Sequence, residues 1–163
     1  MLHVGTVKTG STSLQAYFAE HQQALAEAGW CYLPAVGRPD RRDLAAACIA
    51  IDDQRDELLR ALRLVEPQQR LAFRQQVKAE LEEQLKAVPD ELGVILSSEH
   101  FHLSLQRPEE IETLKQLLLE LGLEVQQVVI YLREPLALIE SLFSTMVRSG
   151  DQRPLPADPA DPF

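Results

Sequence analysis

The sequence predicts an α/β fold: a parallel sheet in a three-layer α/β/α arrangement, with a P-loop-like turn after the first strand. Three observations carry this reading. Short apolar runs at residues 2–4, 94–96 and 128–132 read as strands, and each leads into polar residues suited to ligand contact. Segments with helical spacing of apolar residues lie between them. Glycine or proline stands at many junctions, as at Gly29, Pro34, Pro67, Pro108 and Gly122. Alternation of strand and helix favours a parallel sheet, because a crossover helix returns the chain to the same end of the sheet.

Leu2, His3 and Val4 form the first strand, and residues 12–28, with Leu14, Tyr17 and Phe18, read as one helix closed by Gly29. Trp30 through Leu33 read as a short strand that stops at Pro34, and residues 36–40 as a polar loop. Residues 44–51, 55–65 and 67–88 read as three helices inserted between strands; Pro67 opens the last, since its fixed φ suits a first helical position. The strand at Val94–Leu96 follows, then a helix opened by Pro108, carrying Leu114, Leu117, Leu118 and Leu121, and ended by Gly122. The β-branched run Val128–Leu132 reads as a buried parallel strand ended by Arg133. Pro135 opens a final helix on which Leu138, Ile139, Leu142, Met146 and Val147 recur at helical spacing. Residues 1–150 are thus one domain, and the proline- and aspartate-rich residues 151–163 read as a flexible tail.

The chemistry concentrates in Gly5-Thr6-Val7-Lys8-Thr9-Gly10-Ser11-Thr12-Ser13-Leu14. Glycine lets backbone approach an anion, and the free N–H groups of a helix start point toward it. Lys8 adds a point charge. Gly5 and Gly10 have the Walker spacing, yet Ser11 follows Gly10 where a nucleotide kinase or NTPase would place lysine, and no apolar strand ends in a magnesium-binding aspartate. The stretch Lys8 through Gln15 resembles the 5′-phosphosulfate loop of the sulfotransferases of soluble, bacterial type, which use 3′-phosphoadenosine-5′-phosphosulfate (PAPS).

Two further segments support that resemblance. Tyr131-Leu132-Arg133, with Ser141 eight residues on, is similar to the family's 3′-phosphate motif, in which a planar, bidentate arginine and a helical serine hold the phosphate. Ser97-Ser98-Glu99 at the end of a strand resembles the segment that, in several branches, carries the catalytic glutamate. His100 and His102 stand as alternative bases, as other branches use histidine. The resemblance implies that Lys8, Thr9, Gly10, Ser11, Thr12 and Ser13 bind the 5′ side of PAPS and that Arg133 and Ser141 bind its 3′-phosphate. It implies that Lys8 and Glu99 are catalytic, with no metal. It also implies a chain truncated at its C-terminus, since the family's domain continues past the 3′-phosphate helix. A non-catalytic PAP- or PAPS-binding module is the alternative from a different class.

Composition bounds the function without choosing it. The chain has 163 residues, with 25 acidic against 16 basic residues and a net charge of −9. That balance argues against nucleic acid and against heavily sulfated polymers, which need a basic surface, and favours a small-molecule or carbohydrate acceptor. Cys31 and Cys48 lack metal-ligand spacing and read as small buried residues of a reducing compartment. The absence of a long apolar run and of a secretory leader makes the cytoplasm the expected location, with no membrane contact. The run Glu80, Glu82, Glu83 reads as a solvated helix face.

Overall fold

The computed structural model describes residues 1–53 and 56–150. It is mixed α/β with one four-stranded sheet in the order β2-β3-β1-β4. The strands are β1 (Leu2–Val4), β2 (Trp30–Tyr32), β3 (Gly93–Ser98) and β4 (Val128–Ile130). All pairings are parallel, consistent with a three-layer arrangement.

One face of the sheet carries the main apolar core. Leu2 and Leu96 pack there with Leu44, Leu58, Val77, Leu81, Phe101 and Leu118. These residues come from α3 (Arg42–Cys48), α4 (Glu57–Ala61), α5 (Pro67–Leu85), α6 (His100–Leu103) and α7 (Pro108–Glu120). Burying a large aliphatic side chain contributes about 1.5–3 kcal/mol, so this face supplies most of the cohesion. The side chains that alternate with it, His3 and Ser97, are buried on the other face, where Gln15 of α1 (Ser11–Glu20) reaches Ser97.

Helix boundaries follow local chemistry. Pro67 starts α5, and Gln69 Oε1 accepts from the amides of Glu66 (3.0 Å) and Val65 (3.1 Å). Pro108 starts α7, and buried Glu110 accepts from the amides of Gln106 (2.8 Å), Arg107 (2.9 Å) and Ala50 (2.9 Å). Pro135 starts α8 (Pro135–Arg148), capped by Glu134 through the amides of Leu136 and Ala137. Apart from the Ala50 bond, which ties the end of α3 to α7, these bonds satisfy donors around the helix starts.

Several sequence expectations need correction. The single helix over 12–28 is two, α1 and α2 (Gln22–Glu27), broken at His21, whose amide closes back on the Tyr17 carbonyl. The helix expected over 55–65 spans only Glu57–Ala61, capped by Asp56; Arg55 lies outside the described residues. Segment 128–132 is not a buried strand: β4 is an edge strand with Val128 and Ile130 exposed, and the buried core takes no residue from it. Likewise none of α8 is buried, and its apolar residues Leu136, Ile139, Phe143 and Val147 are exposed. Glu80 is not simply solvated, since it accepts from the Val36 amide and approaches Arg41 at 3.7 Å. Residues 151–163, expected as a flexible tail, lie outside the described residues.

The loop from Pro34 to Arg41 is fixed by a buried arginine that sequence patterning did not single out. Arg41 is fully buried, donates to the Pro34 carbonyl and Gln84, and lies 2.9 Å from Asp43. The Asp43 contact is close but poorly aligned for a hydrogen bond. Burial, outweighing the neighbouring carboxylates, pulls the Arg41 pKa down, and burial likewise pushes Asp43 up against the pull of Arg41. The Arg41 amide donates to the Ser97 carbonyl at 2.8 Å, which docks this loop on the end of β3.

Candidate functional site

The strand register assembles the site. Val4 pairs with Ser98 on one side and Ile130 on the other, so the residues that follow, Gly5, Glu99 and Tyr131, leave the sheet at one level. Ligands of parallel α/β sheets sit beyond these carboxyl ends. The Thr6 hydroxyl donates to the Tyr131 carbonyl at 2.7 Å, and Arg133 Nη1 donates to the Lys8 carbonyl at 3.0 Å. These two bonds tie the first loop to the segment after β4. Glu134 is spent capping α8, so Arg133 faces the loop.

Residues 5–10 form a tight turn into α1. The Thr9 hydroxyl donates to the Thr6 carbonyl at 2.7 Å, with a longer bond from Ser11 Oγ at 3.4 Å. Gly10 occupies the N-cap at φ 87°, a left-handed conformation in which other residues are strained, and it offers no side chain to cap the helix. The first amides of α1 therefore receive no capping bond from the N-cap residue. The hydroxyls of Thr12 and Ser13 point from exposed positions on the same turn and have no protein partner among the described residues. Lys8 is also left-handed, at φ 61°. Arg63 shares that conformation just past the end of α4, where it is ordinary; Lys8 lies in no such position. The Lys8 ammonium makes no ion pair among the described residues.

Lys8, Thr9, Gly10, Tyr131, Leu132 and Arg133 line an open pocket of 380 Å³. Two cations and an uncapped helix start make it suited to a phosphate ester. A 440 Å³ pocket at the amino ends of the strands is suited to no anion: its charged side chains are Asp90 and Glu124, and the Met1 amine is bonded to the Val94 carbonyl.

Glu99 is brought against this loop. A Cβ built on Gly5 would lie 3.0 Å from Glu99 Cγ and 2.6 Å from Ser11 Oγ, so any larger residue there must displace its neighbours. Glu99 occupies the N-cap position of α6, but its side chain makes no capping bond. His100 and His102 lie on α6. His100 is half-buried, bonded to Ser104 Oγ at 3.2 Å, and burial, with nearby Arg42, lowers its pKa. His102 is exposed on that short helix, and Ser141 is half-buried on α8, outside the residues that line the 380 Å³ pocket.

Beneath the loop lies a network that sequence spacing did not reveal. His3 Nδ1 and Ser97 Oγ are 2.7 Å apart, and Gln15 Nε2 donates to Ser97 Oγ at 3.1 Å. Among the described residues the buried His3 Nε2 has no hydrogen-bond partner, and burial lowers the His3 pKa. The only sequence signal was a histidine and a serine among strand apolars. Among the described residues no group of histidine, cysteine, aspartate and glutamate is arranged to hold a metal ion, and no helix is long and apolar enough to cross a membrane. Compared with known protein families, curated proteins and solved structures, the chain matches none.

Proposed function

We propose that the protein is a PAPS-dependent sulfotransferase with a P-loop-like donor site, acting on a hydroxyl or amine of a small-molecule or carbohydrate acceptor. The observation that carries this reading is the placement of unpaired Lys8, the uncapped start of α1 and Arg133 around one pocket, with Glu99 against Gly5. When bound, PAPS supplies the sulfuryl group: its sulfur–oxygen bond to the 5′-phosphate breaks as a bond to the acceptor oxygen or nitrogen forms, leaving PAP. Lys8 and the amides of Ser11 and Thr12 offset charge on the departing phosphate oxygen, an electrostatic role in which one donor is worth about 10²–10³ in rate. Thr9, Gly10, Thr12 and Ser13 hold the 5′-phosphate. Arg133 and Ser141 hold the 3′-phosphate, which selects PAPS over ATP. Glu99 accepts the proton of the acceptor. No nucleic acid or membrane takes part, and two free cysteines favour the cytoplasm.

The test is thermal unfolding of the protein with PAP, with Mg-ATP, and of Arg133→Ala with PAP. At 100 times its dissociation constant, a ligand specific to the folded state contributes about 2.7 kcal/mol. For a chain of this size that is roughly 5–10 °C. Stabilisation by PAP alone, absent in a folded Arg133→Ala protein, supports the reading. A folded wild type that ignores PAP refutes it.

A further inference from the structure

We propose that Arg42 is an acceptor-recognition residue, selecting an acceptor that carries a carboxylate as well as the reacting hydroxyl; this rests on the sulfotransferase reading. Asp40 is buried, at 6% exposure, and both its oxygens grip Arg42 Nε, at 3.2 and 3.1 Å. That clamp fixes the guanidinium through its inner nitrogen. Its two terminal nitrogens have no protein partner among the described residues, and the side chain is 38% exposed.

An arginine held in this way presents a planar pair of donors in a fixed direction, and a carboxylate matches that pair in a bidentate manner. Its position gives the pair a purpose. The Arg41 amide bonds the Ser97 carbonyl, which sets Arg42 beside the end of β3, two residues before Glu99. Arg42 and Glu99 both act electrostatically on His100 at the start of α6, as do Asp40, which Arg42 neutralises, and Asp56. A hydroxyl presented to Glu99 and a carboxylate presented to Arg42 therefore satisfy the two groups from one small acceptor. Ordinary surface arginines, such as Arg107 with Asp52 and Asp53, are instead engaged through their terminal nitrogens.

The test uses a matched pair of probes, 4-hydroxyphenylacetate and its neutral amide, 4-hydroxyphenylacetamide. Binding of each is measured by calorimetry to the full chain, to Arg42→Gln and to Arg42→Lys, with and without saturating PAP. Affinity for PAP and the circular dichroism spectrum are recorded for each variant. The wild type is expected to prefer the carboxylate by about tenfold or more, the scale of a charge-assisted hydrogen bond. Arg42→Gln should bring the ratio to about one with PAP affinity unchanged, and Arg42→Lys should keep part of the preference. A wild type without the preference, including one that binds neither probe, overturns the proposal, as does a preference that survives Arg42→Gln. PAP binding without a carboxylate preference removes the Arg42 role and leaves the sulfotransferase reading intact. An Arg42-dependent preference in a protein that ignores PAP does the reverse.

Discussion

Replacing Gly5 with alanine tests how the loop and Glu99 are packed. The added Cβ would stand 2.6 Å from Ser11 Oγ, 3.1 Å from Ser11 Cβ and 3.0 Å from Glu99 Cγ. Rotating the serine hydroxyl away relieves the first contact only. Ser11 is 2% exposed and begins α1, so the second contact requires the helix start itself to shift. Overpacking of this kind costs about 1–3 kcal/mol. With a urea slope of about 2 kcal/mol/M for a domain of this size, a 2 kcal/mol loss moves the midpoint by about 1 M. Urea denaturation followed by circular dichroism reads it directly. Ser11→Ala alone removes only a 3.4 Å hydrogen bond and should cost under about 1 kcal/mol. In Gly5→Ala/Ser11→Ala the closest contact is gone, so the double variant should be more stable than the sum of the singles by about 0.5–1 kcal/mol. A Gly5→Ala midpoint equal to wild type, or strict additivity in the cycle, would refute the packing argument and with it the placement of Glu99.

Three further outcomes are expected. Lys8→Gly should leave stability unchanged or raise it by up to about 1 kcal/mol, since it relieves a left-handed lysine, yet it should lose PAP stabilisation; thermal unfolding with and without PAP checks both. Arg41→Met should cost about 3–5 kcal/mol by leaving Asp43 without its counter-charge, and Asp43→Asn in the same chain should recover part of it, measured by urea midpoint. Burial lowers the pKa of His3 and His100, so the unfolded chain binds protons more readily below its value of about 6.5. Stability is therefore fully present above that pH and falls as pH drops through it toward the folded values. His3→Gln should flatten the slope of urea midpoint against pH, and an unchanged slope would mean that His3 does not titrate on unfolding.

Much of the architecture was legible because local signals determined it. Pro67, Pro108 and Pro135 lack an amide to lose and mark true helix starts. The strand segments showed themselves as apolar runs, and Gly10 between a strand and a helical period marked the loop. Other features were not legible, since an apolar run looks alike in a central and an edge strand. Val128 and Ile130 are exposed because the buried core takes no residue from β4 or α8, which no local pattern encodes. The break at His21 was equally hidden, lying inside a continuous helical period.

What the sequence alone determined is the inventory: a glycine-bounded loop with Lys8, a strand leading to Glu99, and a third leading to Arg133. What tertiary structure decided is their meeting. Parallel register sets Gly5, Glu99 and Tyr131 at one level, and the bonds from Thr6 and Arg133 close the pocket across 125 residues of sequence. The Asp40–Arg42 clamp and the His3–Ser97–Gln15 network depend on the same kind of long-range contact or on loop geometry. The physical reason is that backbone propensity and hydrophobic period act over a few residues. Side-chain hydrogen bonds between strands depend on which strands become neighbours, and that is chosen by the whole core.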